Sequence, residues 1–159
     1  MYLTGFGYDI HQLEKGRSLT LGGVSIPDSP HGPAAHSDGD VLLHAVCDAL
    51  LGAAGLEDIG HYFPNDDPRF KDISSLELLK EVRGILRAEG GKPVQLDTTV
   101  VLEEPKLTPF RKQMSTVIAK TLGISERRVS VKATTNEGIG AIGRNEGIAA
   151  FAVAVISMS

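Results

Sequence analysis

Residues 7–12 read GYDIHQ, a carboxylate and an imidazole two positions apart in a stretch patterned as a strand. Side chains alternate along a strand, so Asp9 and His11 share one face and Ile10 takes the other. Such a pair can be a surface pair, a pair that steadies another group, or two arms of a metal site. A third candidate lies on a helix. The segment DVLLHAVCDALLGAA is apolar almost all round, which predicts burial, except for Asp40, His44 and Asp48 at i, i+4 and i+8. These three fall on one face. Buried polar groups require partners. A core histidine satisfied by its helix neighbours is one reading of His44. The other joins it to Asp9 and His11: two imidazoles and a carboxylate form a catalytic zinc donor set with an open fourth position. Asp40 or Asp48 would then hold His44 from behind. Spacing alone leaves both readings open, because it does not bring strand and helix together.

A second chemistry is suggested near the C-terminus. GIGAIG at 138–143 matches G-x-G-x-x-G after a strand. A dinucleotide-binding turn must open a helix within a βαβ unit. Here a strand-like run follows, so the match is fortuitous. What remains is a glycine-rich loop flanked by Thr134, Thr135, Glu137 and Arg144. Hydroxyls, backbone N–H groups and an arginine suit phosphate, and Glu137 among phosphates would suit Mg2+ or Mn2+. A β-connection with solvated charges accounts for the same residues. His36 and Ser37 sit at the start of the apolar helix, where anions are attracted, although simple capping also explains Ser37. DIGHYFPNDD at 58–67 is by itself a polar loop. His31 reads as solvated, and Cys47 as a core residue.

The elements that must position these groups are patterned as follows. Residues 2–12 form a strand, and 18–27 a hairpin turning at Gly22-Gly23. A Pro/Gly/Ser-rich loop at 27–39 leads to a helix over 40–54, with Ser37 or Asp38 as N-cap. Residues 55–73 read as a long loop. Ser74 and Glu77 match a capping box for a second helix, ended by Gly90-Gly91. A strand at 93–104 follows, then a helix from Thr108-Pro109 to Gly123, a strand at 129–135 and a final buried strand within 148–156. Interleaved strands and helices predict an α/β (α+β) two-layer sandwich: a mixed sheet of about four main strands, helices on one face, and a hairpin.

At 159 residues, with 42% hydrophobic and 23% charged residues, the chain suits one domain over 1–159. A net charge of −4 argues against nucleic acid or an anionic membrane as partner. One cysteine excludes an internal disulfide and fits a reducing, cytoplasmic compartment. No signal-peptide pattern is present, and the longest apolar run is too short to span a bilayer as a helix.

The stretches GYDIHQL, LGGVSIP, AHSDGDVLLHAVCDALLGAAGLEDIGHYFP, PKL and KATTNEGIGAIGRNEGIA closely resemble the 2-C-methyl-D-erythritol 2,4-cyclodiphosphate synthase family of the non-mevalonate isoprenoid pathway, in family order over nearly the whole chain. The resemblance implies a lyase that converts 4-diphosphocytidyl-2-C-methyl-D-erythritol 2-phosphate to the cyclic diphosphate and CMP. It implies Zn2+ on Asp9, His11 and His44, with a substrate phosphate as fourth ligand. Glu137 would hold Mg2+ or Mn2+ at the diphosphate. His36 and Thr135 are the implied catalytic residues, with Ser37 beside His36. Asp58, Ile59, Gly60, Phe63, Pro64, Asn65, Asp66 and Asp67 would receive the methylerythritol part. Pro105, Lys106, Leu107 and Thr134 would form the cytidine pocket, with Asn136 and Arg144 near the substrate. The family is a homotrimer with active sites between subunits. Ala141 stands where an aromatic residue is common, and Leu102 and Glu104 where smaller residues are expected. One rival reading is a metal-dependent phosphoesterase using the same three ligands; another is a trimeric binding or structural protein in which the metal only staples strand to helix.

Overall fold

The computed structural model describes residues 1–35 and 37–159; His36 lies outside the described residues. The strands are β1 (Tyr2–Lys15), β2 (Leu19–Leu21), β3 (Val24–Ile26), β4 (His31–Pro33), β5 (Gly91–Val101), β6 (Val129–Thr134) and β7 (Gly147–Met158). The helices are α1 (Val41–Ala53), α2 (Ile59–Tyr62), α3 (Ser75–Ala88), α4 (Arg111–Leu122) and α5 (Gly140–Gly143). Five strands form a mixed sheet in the order β4-β1-β7-β5-β6, and β2 and β3 form a separate hairpin. The expected mixed sheet thus gains a short fifth strand, β4, from the loop at 27–39. All neighbours are antiparallel except β5 and β6. A parallel pair needs a crossover, which α4 supplies.

Close approach of α1 to the sheet governs the site. Odd-numbered residues of β1 face the helix and even-numbered ones face away. At Gly5 and Gly7 an added Cβ would lie 2.0 Å from the Ala49 carbonyl oxygen and 1.9 Å from that of Ala45. The neighbouring strand β7 presents Ala150, Ala152 and Ala154, all essentially inaccessible. A ledge of glycine and alanine thus lets the helix backbone settle against the sheet. Two residues further along the same face of β1, Asp9 and His11 meet α1 where His44 projects.

The buried helix is as its composition predicts, with every residue of α1 buried except His44, Asp48 and Gly52. Its cap differs from expectation. Asp40, not Ser37 or Asp38, is the N-cap. Its carboxylate accepts from Leu43 N at 3.0 Å and from the N–H groups of Gly22 (3.0 Å) and Gly23 (2.8 Å). One buried carboxylate therefore ties the hairpin turn to the helix start. It reaches them because the two glycines of that turn take positive φ, exposing consecutive N–H groups.

The segment at 55–73 is not a plain loop. Asp58 caps the short α2, and Asp67 caps a 3-10 turn over Pro68–Phe70. Ser74 caps α3 by accepting from Glu77 N at 3.2 Å. The glycine-rich run forms the four-residue helix α5, followed by β7 as its pattern required. The final strand is buried on one face only. Phe151 and Val153 are each 39% exposed, because the helices cover the opposite side. His31 is half-buried on β4 rather than solvated, with Nδ1 3.9 Å from Glu104 Oε1.

Candidate metal centre

Asp9 Oδ2, His11 Nε2 and His44 Nδ1 form a nearly equilateral triangle. The separations are 3.0 Å from Asp9 to His11, 3.1 Å from Asp9 to His44 and 3.3 Å between the two imidazole nitrogens. Tetrahedral Zn2+ with bonds of about 2.0–2.1 Å sets its donors about 3.3–3.4 Å apart. The donor set fits a small divalent cation in type and spacing, and it is the one such cluster among the described residues. All three residues are half-buried, so the site is sheltered and still reachable.

Burial pushes the Asp9 carboxyl up, but hydrogen bonds from His11 and His44 and their charge outweigh it, and the pKa falls to about 2. Burial disfavours the His44 cation, yet the Asp9 hydrogen bond and charge, with Asp40 and Asp38, raise its pKa above the ordinary value. Asp9 and His44 thus stabilise each other's charged forms. Asp40 is pushed up to about 6 by full burial, partly offset by its three N–H donors.

Neither Asp40 nor Asp48 stands behind His44, as the sequence suggested. Asp40 is consumed by capping, and Asp48 accepts from Ile59 N at 2.9 Å, which anchors α2 to α1. Behind His44 lies Ser75, whose Oγ is 3.0 Å from Nε2. Ser75 Oγ in turn bonds Asp38 Oδ1. Asp38 was legible only as a cap, and nothing in the sequence marked Ser75 apart from its neighbour Ser74.

A cavity of about 780 Å3 opens over the two histidines of the triad. His11 and His44 lie in its wall with Ser37, Ile59, Gly60 and the run from Phe63 to Asp67. Asp58 is set back, capping α2 through His61 N. The site residues implied for loop 58–67 are therefore brought to the triad, apart from this one.

The second group is gathered elsewhere. Lys106, Thr134, Thr135, Asn136, Glu137 and Arg144 are all exposed and do not line that cavity. Asn136 N donates to Glu103 Oε1 at 2.6 Å, and Glu137 N to Thr135 Oγ1 at 3.2 Å. Glu137 has φ of +54°, a left-handed conformation that costs a non-glycine residue about 1–2 kcal/mol. Arg144 pairs with Glu146 at 3.1 Å. Of the departures, Leu102 turns its side chain into the core while its N–H donates to Thr134 O at 3.0 Å. Glu104 and Ala141 are exposed. Cys47 is fully buried, which pushes its thiol far up and leaves it inert.

Fold and site together define a class: a two-layer α+β protein with an Asp-His-His donor set suited to a divalent cation, its two histidines in the wall of a cavity. The chain belongs to the YgbB family, which it matches over residues 2–157. It is 56% identical over 155 residues to the 2-C-methyl-D-erythritol 2,4-cyclodiphosphate synthase of Syntrophomonas wolfei, covering 98% of each chain. Among solved structures, the bifunctional IspDF from Campylobacter jejuni matches with a TM-score of 0.94 and 43% identity, over 100% of this chain and 43% of that one. A 2C-methyl-D-erythritol-2,4-cyclodiphosphate synthase in a CDP-bound form matches with a TM-score of 0.90 and 40% identity, over 97% of this chain and 99% of that one.

Proposed function

We propose that the chain, as one domain over 1–159, closes 4-diphosphocytidyl-2-C-methyl-D-erythritol 2-phosphate into 2-C-methyl-D-erythritol 2,4-cyclodiphosphate and releases CMP. The observation that carries the reading is the donor triangle whose two histidines stand in the cavity wall. Relatives of this length and similarity bear the synthase name, and one was solved with CDP.

The chemical problem is electrostatic. One phosphate must attack another, and both are anionic. Zn2+ at Asp9, His11 and His44 and Mg2+ or Mn2+ at Glu137 would supply charge neutralisation. The chain's own part is positioning. Ile59, Gly60 and the run from Phe63 to Asp67 wall a cavity that receives the sugar part, so both ends of one flexible molecule are held and ring closure loses less entropy. Thr135, Asn136 and Glu137 lie on a loop pinned by Glu103, which presents hydroxyl, amide and carboxylate together. No protein nucleophile is required. His36 and Thr135 are assigned to stabilising the transition state, and Ser37 stands in the cavity wall. Lys106 and Thr134 are assigned to the cytidine end. Leu102 is turned inward, which supports backbone rather than side-chain recognition there.

The two halves of the site do not share a cavity within one chain, which supports a homotrimer with sites between subunits. The outer sheet face supports it too. Phe6, Tyr8 and Ile10 of β1 are 63%, 45% and 48% exposed, beside Phe151 and Val153 of β7. Large contiguous apolar patches mark interaction surfaces. Among the described residues no helix is long and apolar enough to cross a membrane. The lone cysteine supports a reducing, cytoplasmic setting. Product analysis tests the activity: CMP with a cyclic diphosphate supports it, and release of inorganic phosphate supports the phosphoesterase reading.

A further inference from the structure

The geometry points to Ser75 as a positioning residue that, together with Asp38, selects which nitrogen of His44 faces the cation. The inference rests on the metal reading given above and deepens it.

Ser75 is the first residue of α3 and is wholly inaccessible. A buried hydroxyl needs partners, and this one has two on opposite sides. On one side is Asp38 Oδ1, on the other His44 Nε2 at 3.0 Å. Asp38 also takes the Ser75 backbone N–H on Oδ2 at 2.9 Å, so its carboxylate grips both donors of one residue. The polarity of the chain follows. An ionised carboxylate only accepts, so the Ser75 hydroxyl gives its proton to Asp38. Its oxygen is then left to accept, and the remaining partner, His44 Nε2, must donate. With the proton on Nε2, the neutral ring keeps its lone pair on Nδ1, the atom that stands 3.1 Å from Asp9 and 3.3 Å from His11. The relay therefore fixes both ring rotation and tautomer in the form a metal requires.

Three elements meet in this relay: the loop before α1 gives Asp38, α1 gives His44 and α3 gives Ser75. Neighbouring serines divide the work. Ser74, exposed, caps α3, while Ser75 turns inward to the ligand.

The test measures zinc dissociation constants of the full chain against a chromophoric chelator, with thermal midpoints of the metal-free proteins alongside. Wild type, Ser75→Ala, Ser75→Thr, Asp38→Asn and the Ala/Asn double variant are compared. Wild type that binds no zinc would overturn the metal reading and the relay together. With wild type binding, Ser75→Ala and Asp38→Asn should each weaken zinc about 10- to 100-fold. Ser75→Thr, which keeps the hydroxyl, should recover most of the loss, and the double variant should be little worse than either single one. If Ser75→Ala does not fold, Asp38→Asn, equal in shape and only half-buried, carries the comparison. Zinc affinities unchanged in folded variants, or losses that follow only the thermal midpoint, would overturn the relay while leaving the metal reading intact.

Discussion

His44 is the residue on which the site turns, since both ring nitrogens are engaged and each by a different element. His44→Ala is expected to abolish turnover and bound zinc while the protein stays folded, checked by metal analysis and circular dichroism. Glu137→Gln should lose magnesium-dependent rate yet retain zinc; loss of both metals together would contradict separate sites. The charges also set a pH dependence for the metal-free protein. Asp9 is lowered to about 2, so its contribution is present above the ordinary carboxylate pKa and lost as pH falls toward 2. His44 is raised, so its contribution is present below the ordinary imidazole pKa and lost as pH rises through the raised value. Melting temperatures should therefore decline on both the acid and the alkaline limb, and His44→Ala should flatten the alkaline one. Zinc needs the neutral ring, so its affinity should rise where that stability falls. Much of this was legible. Alternation placed Asp9 beside His11, and His44 stood out as a polar residue in an apolar helix. Ser75 was not legible, because a serine beside a capping serine carries no signal until α3 is packed on α1.

Among the elements, the approach of α1 to β1 decides whether the triangle exists. Gly7 lies two residues before Asp9 on the same face, and a methyl there meets the Ala45 carbonyl oxygen at 1.9 Å. Gly7→Ala should destabilise by about 3 kcal/mol through overpacking and should also weaken zinc, because helix and strand must part. A lower melting temperature with unchanged zinc affinity would show that the spacing tolerates adjustment. Asp40 holds the other end of the helix. Asp40→Ala strands three N–H groups and should cost about 3 kcal/mol, measured by denaturant unfolding. The strand, the hairpin and the helices could be read from alternation, paired glycines and caps. The cap of α1 could not, since Ser37, Asp38 and Asp40 are all good capping residues, and only the hairpin turn packed above them selects Asp40. Likewise β4 and α2 are too short for periodicity to register, and both are held by tertiary contacts.

For the whole molecule, the outer face of β1 and β7 is the feature a lone chain leaves unexplained. Tyr8 packs on Phe151 with ring centroids 5.1 Å apart, on an apolar surface that no element among the described residues covers. In the proposed homotrimer, Tyr8→Glu should leave only 16.9 kDa chains in sedimentation analysis, and activity should fall with it, because Glu137 and the triad would no longer meet across subunits. A monomeric variant with full activity would contradict the shared site. The central claim is that Asp9, His11 and His44 hold a zinc ion whose fourth position takes a substrate phosphate. The most direct measurement is anomalous scattering at the zinc edge from crystals grown with a cytidine diphosphate nucleotide. The predicted result is one peak bonded to Asp9 Oδ2, His11 Nε2 and His44 Nδ1, with a phosphate oxygen completing the shell. A peak elsewhere, or a shell closed by a fourth protein ligand, would contradict it.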